Sequence, residues 1–211
     1  MNEHSPSAVK ERIPIIDVDF HPQTPVSDPD VMQHLPRQWA EYIATYGFGT
    51  GQAPFFASPS QREFTHRMDA LDPRGRTAAD PDFSRRQTLD LYDMTAVMLT
   101  YVYAIVSTWN TNRPLEMRRA VMRAVNDYQA ETWLRADPRY RATIVVPRDI
   151  PDAAAEVKRI KHGPLGDRFV GVLSSPSGQE PLGHEVNWPV FQACVEHDLP
   201  YFVHVAAPMG T

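Results

Sequence analysis

Cysteine is nearly absent: Cys194 is the single thiol in 211 residues. One thiol cannot build an internal disulfide framework or a thiolate zinc cage, and this usage agrees with a reducing compartment. Within "PVFQACVEHDL" it falls at helical spacing from Val190 and Phe191, the position of a packed side chain rather than a reactive one. Basic charge is also short, with 21 Lys and Arg against 26 Asp and Glu and a net charge of -5. No surplus is left to neutralise phosphates, so no nucleic-acid partner is expected. Long apolar runs are missing as well. The best window, "TAVMLTYVYAIVST" at 95–108, is interrupted by Thr, Tyr and Ser and falls short of the roughly 20 residues of a spanning helix. No membrane span is expected. The opening "MNEHSPSAVKER" lacks the apolar stretch of a signal peptide, so residues 1–12 read as a flexible polar tail on a cytoplasmic protein. "GFGTG" has no following Lys-Ser or Lys-Thr in a strand-to-helix context and is no phosphate cradle.

What the sequence does contain is the material of a globular core, with 42% hydrophobic and 22% charged residues. Five short, continuous apolar segments read as strands: 13–19, 96–101, 142–147, 169–174 and 201–205. Continuous rather than alternating apolarity predicts strands covered on both faces, as in a parallel sheet wrapped by helices. Helices fit between them. The clearest runs over 114–136, with Pro114 suited to its first turn and Met117, Val121, Ala124, Val125 and Tyr128 along one face. "PDAAAEVKRI" follows Asp149 as a cap, and "WPVFQACVEHDL" leads into the fifth strand. About 75 residues separate the first two strands, far beyond the ~15 of an ordinary connection, and such segments are functional or disordered. The start of this segment, "DPDVMQHLPRQWAEYIATYG", should be helical with a break at Pro36.

Chemistry concentrates at strand ends. In "IPIIDVDFHP" the first strand delivers Asp19 and His21 to its own far end. Residues i and i+2 of a strand share a side, so the two can converge on one ligand; the competing reading is that they satisfy backbone groups before Pro22. His204 stands inside the apolar "YFVHV" of the fifth strand, either as a satisfied core imidazole or as a ligand. The C-terminal ends of parallel strands open on one face of a barrel or doubly wound sheet, which puts Asp19, His21 and His204 at the same mouth. A carboxylate and two imidazoles form an open site for zinc, manganese or iron. Other residues have weaker claims. Arg62, Arg67, Arg74, Arg76, Arg85 and Arg86 lie in the long segment and could fork onto a substrate carboxylate, with a solvated charged face as the alternative. His66 could enter the site from there, whereas His34, His162, His184 and His197 read as surface or helix-end residues.

The chain resembles the amidohydrolase-related metal enzymes of the aminocarboxymuconate semialdehyde decarboxylase type. The resemblance rests on "IIDVDFHP", "QTLDLYDMTAVMLT", "VNDYQAETWLRADPRYRATIVVP", "DRFVGVLSSPSGQEPLG" and "WPVFQACVEHDLPYFVHV", and so covers nearly the whole chain. It implies an α/β fold, the (β/α)8 TIM barrel of amidohydrolase type, here incomplete with about five strands. Residues 13–211 would form that barrel, with an insertion or cap at about 22–90. The family holds its metal with a His-x-His pair after the first strand, a His on the fifth and an Asp on the eighth. Position by position these fall on Asp19, His21 and His204, with Asp19 where the commonest pattern has His. A carboxylate in place of an imidazole shifts metal preference from zinc toward manganese or magnesium; zinc or manganese is the expected cofactor. Seven residues follow His204, whereas the family continues through strands six to eight with a catalytic histidine and the Asp ligand. The expectation is therefore a truncated product with an exposed edge at the fifth strand and weakened or absent activity. The resemblance implies a metal-dependent decarboxylase or hydrolase of a small, aromatic-derived carboxylate, paired as a homodimer; the alternative is a catalytically silent fragment that at most binds metal.

Overall fold

The structure is a computed structural model that describes residues 13–48, 68–102, 104, 113–147, 150–175 and 180–204. Five strands, β1 (Ile16–Phe20), β2 (Ala96–Leu99), β3 (Tyr140–Val145), β4 (Phe169–Ser174) and β5 (Tyr201–Val203), form one all-parallel sheet in sequence order. Each strand lies within two or three residues of its predicted place. Between β1 and β2 the chain passes through α1 (Pro29–Met32), α2 (Arg37–Tyr46) and α3 (Pro81–Ser84), the last continuing as a π turn, Arg85–Leu89. Beyond β2 come α4 (Leu115–Tyr128), α5 (Ala153–Lys161) and α6 (Trp188–Glu196), one before each following strand.

Local chemistry sets these helix boundaries. Asp28 and Asp80 each accept a backbone N–H of the first turn, from Asp30 and Phe83, and each precedes a proline at the first helical position. Pro36 separates α1 from α2, as expected, because a proline ring cannot continue the preceding helix. The long helix predicted at 114–136 ends its α geometry at Tyr128 and proceeds as a π-helix, Gln129–Leu134. Asp152 occupies the position before α5 without a side-chain bond to the helix backbone, its carboxylate pairing instead with Arg119 at 2.6 Å, and Asp149 lies outside the described residues.

The core sits between the central strands and α4, α5 and α6. Val97, Leu99, Ala142, Ile144, Val172 and Leu173 are buried from the sheet, and Met117, Val121, Val125, Val157 and Ala193 from the helices. Cys194 is buried there too, and burial pushes its thiol up to about 11. Asn126, fully buried on α4, donates to Val145 O (3.1 Å) and Glu156 Oε1 (2.9 Å) and accepts from Val145 N (2.9 Å). Gly171 is forced by packing, since any Cβ at this position would overlap the Phe202 ring.

The expectation that every strand is covered on both faces fails at β1. Ile16 and Val18 are 58% and 61% exposed. The reason is position: among the described residues β1 is an edge strand paired with β2 alone, and these two side chains stay more than half open to solvent. An apolar run marks what a strand can bury, not where in the sheet it lies.

Candidate metal centre

The two edge strands meet at their C-terminal ends. Four inter-strand gaps of about 4.8 Å would put β1 and β5 about 19 Å apart in a flat sheet, farther than two histidine side chains reach. Yet His21 Nε2, just past β1, lies 3.1 Å from His204 Nε2, just past β5. The sheet is therefore curled, with the sense of a barrel wall. His204 is held in line by its backbone N–H, which donates to Ser174 O at 3.0 Å.

Asp19 completes the group. Its Oδ1 lies 3.1 Å from His21 Nε2 and 3.4 Å from His204 Nε2, and one ligand atom from each residue falls within 4.8 Å of the others. A bulge in β1 supports this placement: between Asp17 and Phe20 β1 takes three steps while β2 takes two. Bulges re-aim side chains at strand ends. The Asp19 N–H released from the ladder donates instead to Asp17 Oδ1 at 2.9 Å. Exposure grades from Asp19 (59%) through His21 (34%) to His204 (16%), so the group opens to solvent on the β1 side. Burial pushes the Asp19 carboxyl up, but the Thr100 hydroxyl and the two imidazoles outweigh it and leave the group below the ordinary carboxylate range.

These donors fit a divalent cation. Two ring nitrogens and a carboxylate oxygen converge, and lone pairs at 3.1 Å repel unless a proton or a cation lies between them. One imidazole N–H cannot bond fully to both neighbours, whereas a single cation satisfies all three.

Two supporting residues were not anticipated. Thr100, just past β2, donates its hydroxyl to Asp19 Oδ1 at 2.8 Å; its only trace in the sequence is a polar residue interrupting an apolar run. Next to it, the Tyr101 hydroxyl donates to Thr24 O, and Tyr128 shares a 2.9 Å bond with the Thr24 hydroxyl. The loop after His21 is thereby tied to the core.

The other sequence candidates disperse. Arg76 pairs with Asp28 (2.7 Å) and Asp72 (3.1 Å), and Arg85 with Asp82 and Asp90, so both serve the fold. Arg86 lies over the Phe83 ring. Arg74 lines a cleft of about 260 Å³ with Asp30, Asp80 and Thr132, which shares no residue with the triad. Arg62, Arg67 and His66 lie outside the described residues. His162 and His197 follow α5 and α6 and meet edge-to-face, and His184 accepts from Val186 N, all at helix ends as expected. His34 follows α1, its N–H donating to Val31 O at 3.0 Å, so it too lies at a helix end, with its Nε2 buried and its ring against Tyr128.

A curled parallel sheet with helices outside and polar donors at its C-terminal rim defines the class as a β/α barrel wall. Residues 16–211 match the amidohydrolase family, and the chain belongs to it. No curated protein matches the chain. Among solved structures, 5-carboxyvanillate decarboxylase from Novosphingobium aromaticivorans, with manganese and 3-methoxy-4-hydroxy-5-nitrobenzoic acid bound, is similar at 20% identity and a TM-score of 0.55, over 90% of this chain and 50% of that one. An amidohydrolase from Mycobacterium avium subsp. paratuberculosis is similar at 18% identity and a TM-score of 0.58, over 92% of this chain and 59% of that one. The likeness shows the fold: an incomplete amidohydrolase-type TIM barrel, its chain spanning about half the length of the solved structures it matches. Among the described residues no helix is long and apolar enough to cross a membrane.

Proposed function

We propose that the chain forms the ligand-bearing part of a metal-dependent decarboxylase or hydrolase acting on a small, aromatic-derived carboxylate. The observation that carries this reading is the convergence of Asp19, His21 and His204 from opposite edges of the sheet. Those three residues hold the cation, zinc or manganese. When bound it supplies Lewis acidity toward a substrate oxygen. Asp19 lends negative charge that two neutral imidazoles lack, which favours a hard divalent ion. His204, the most buried of the three, anchors the site, and His21 and Asp19 leave its outer side open to a ligand. No acid or base is assigned among the described residues. Family membership and the manganese-bearing decarboxylase of like fold support the lyase form.

Metal analysis of purified protein, followed by chelation and reconstitution, tests the site; a screen of substituted benzoates for carbon dioxide release tests the reaction. A chain that takes up no manganese or zinc defeats the metal reading. A second reading is carried by the coverage of about half the solved structures: the chain binds the cation without turnover. Stoichiometric metal with no carbon dioxide released from any benzoate favours it.

A further inference from the structure

Asp19 is the most exposed member of the triad, and a free carboxylate in that position would sample several rotamers, each with two oxygens to offer. Thr100 removes that freedom. It is 3% exposed at the end of β2, and its N–H donates to Phe20 O at 2.8 Å, which fixes its backbone against β1. Its hydroxyl has one proton and two acceptors in reach, Asp19 Oδ1 at 2.8 Å and Phe20 O at 3.3 Å. The Phe20 carbonyl already accepts the amide, so the shorter bond to Asp19 takes the proton.

Oδ1 is also the oxygen that faces both imidazoles. A carboxylate oxygen carries two lone pairs. We infer that Thr100 is a positioning residue for the cation: its hydroxyl occupies one lone pair of Asp19 Oδ1 and turns the other toward His21 and His204, so that Asp19 serves as a one-oxygen ligand. Asp17 does the same for the backbone by accepting the Asp19 N–H at the bulge. The inference rests on the proposed cation at this triad. It extends that reading to a residue outside the ligand set, 81 positions away in sequence.

Manganese binding to the whole chain, followed by calorimetry and by the electron paramagnetic resonance signal of free manganese, tests it in wild type, Thr100→Val and Thr100→Ser. Valine keeps the shape and removes the hydroxyl; serine keeps the hydroxyl. Outer-shell partners of metal ligands are worth about 10- to 100-fold in affinity, so Thr100→Val should weaken the Kd by that factor. Thr100→Ser should bind as wild type does, and the metal-free melting temperature should match across the three. Wild-type affinity in Thr100→Val overturns the inference, as does a serine variant as weak as the valine one. Should Thr100→Val fail to fold, Thr100→Ala carries the same comparison. Wild type that binds no manganese at all defeats the metal reading itself, an outcome distinct from unchanged affinity in the variants.

Discussion

β3 and β1 are parallel strands of the same sheet, yet they do different work. In β3, Tyr140, Ala142, Thr143, Ile144 and Val145 are all buried, and α4 and its π continuation cover the strand, with Asn126 and Gln129 bonded to its backbone. In β1 no residue is buried, and the strand is bulged and bordered on one side. The centre of the sheet holds the fold, whereas its two rims carry the polar groups. Donors at a rim can face solvent and a ligand without opening a void in the core. The cost is that the triad depends on curvature, because His21 and His204 meet only if every intervening strand keeps its place.

The comparison breaks first at Trp133, which is fully buried between Tyr140 (5.3 Å) and Phe20 (5.8 Å) and donates to the Tyr128 hydroxyl at 3.1 Å. Trp133→Ala removes the wedge between the central helix layer and β1, with an expected loss of about 3–5 kcal/mol. Urea unfolding measures it, and a loss near zero would mean that the centre is not where stability resides. The next effect is alkaline. Burial first, against opposing bonds from Thr24 and Trp133, pushes the Tyr128 phenol up to about 12. Between its unfolded value near 10 and that folded value the native chain keeps a proton that the unfolded chain has lost, so stability is full below pH ~10 and falls as pH rises toward ~12. A shift of this size corresponds to roughly 2–3 kcal/mol. Tyr128→Phe should flatten the alkaline limb of a stability-against-pH curve, and an unchanged limb would assign the slope elsewhere, to Tyr101 and Tyr140, whose phenols burial also raises.

What the sequence shows and what it hides divide along the same line. Five apolar runs betray five strands because burial demands apolar residues wherever a strand is covered. Asp19, His21 and His204 stood out as candidates because a polar residue ending or interrupting such a run is conspicuous; that they meet is a fact of curvature, which no local pattern encodes. The β1 bulge is a relation between two strands almost 80 residues apart in register, so it leaves no periodic signature. Thr100 is invisible for the same reason: a threonine at a strand end is ordinary until its partner across the sheet is known. The exposure of Ile16 and Val18 was unreadable because apolarity does not state which strand is an edge. The switch from α to π geometry after Tyr128 escaped because both share the same apolar stripe.

At the rims the expected effects are smaller. His204→Ala should leave metal-free stability within about 1 kcal/mol of wild type, since a partly exposed strand-end residue is replaced. It should also abolish the added stability from manganese, which at tenfold the Kd is about 1.4 kcal/mol in wild type. Thermal melts with and without manganese separate the two, and a variant that melts higher with the metal, as wild type does, would remove His204 from the ligand set.

The smallest effect is the sharpest test of the contrast between centre and edge. Ile16 and Leu99 both belong to the first strand pair, but Leu99 is fully buried whereas Ile16 is more than half exposed. Leu99→Ala should cost about 2–5 kcal/mol through lost transfer energy and a cavity, and Ile16→Ala less than about 1 kcal/mol, because little area leaves or enters water and no cavity forms. Paired urea melts of the two variants measure the ratio. If Ile16→Ala approached the cost of Leu99→Ala, the outer face of β1 would have to be covered in solution by a surface outside the described residues, and β1 would then be buried on that face, with Asp19 and His21 at an inner rim. Dilution would distinguish a second copy of the chain as that cover, because stability contributed by association falls with protomer concentration whereas stability contributed within the chain does not.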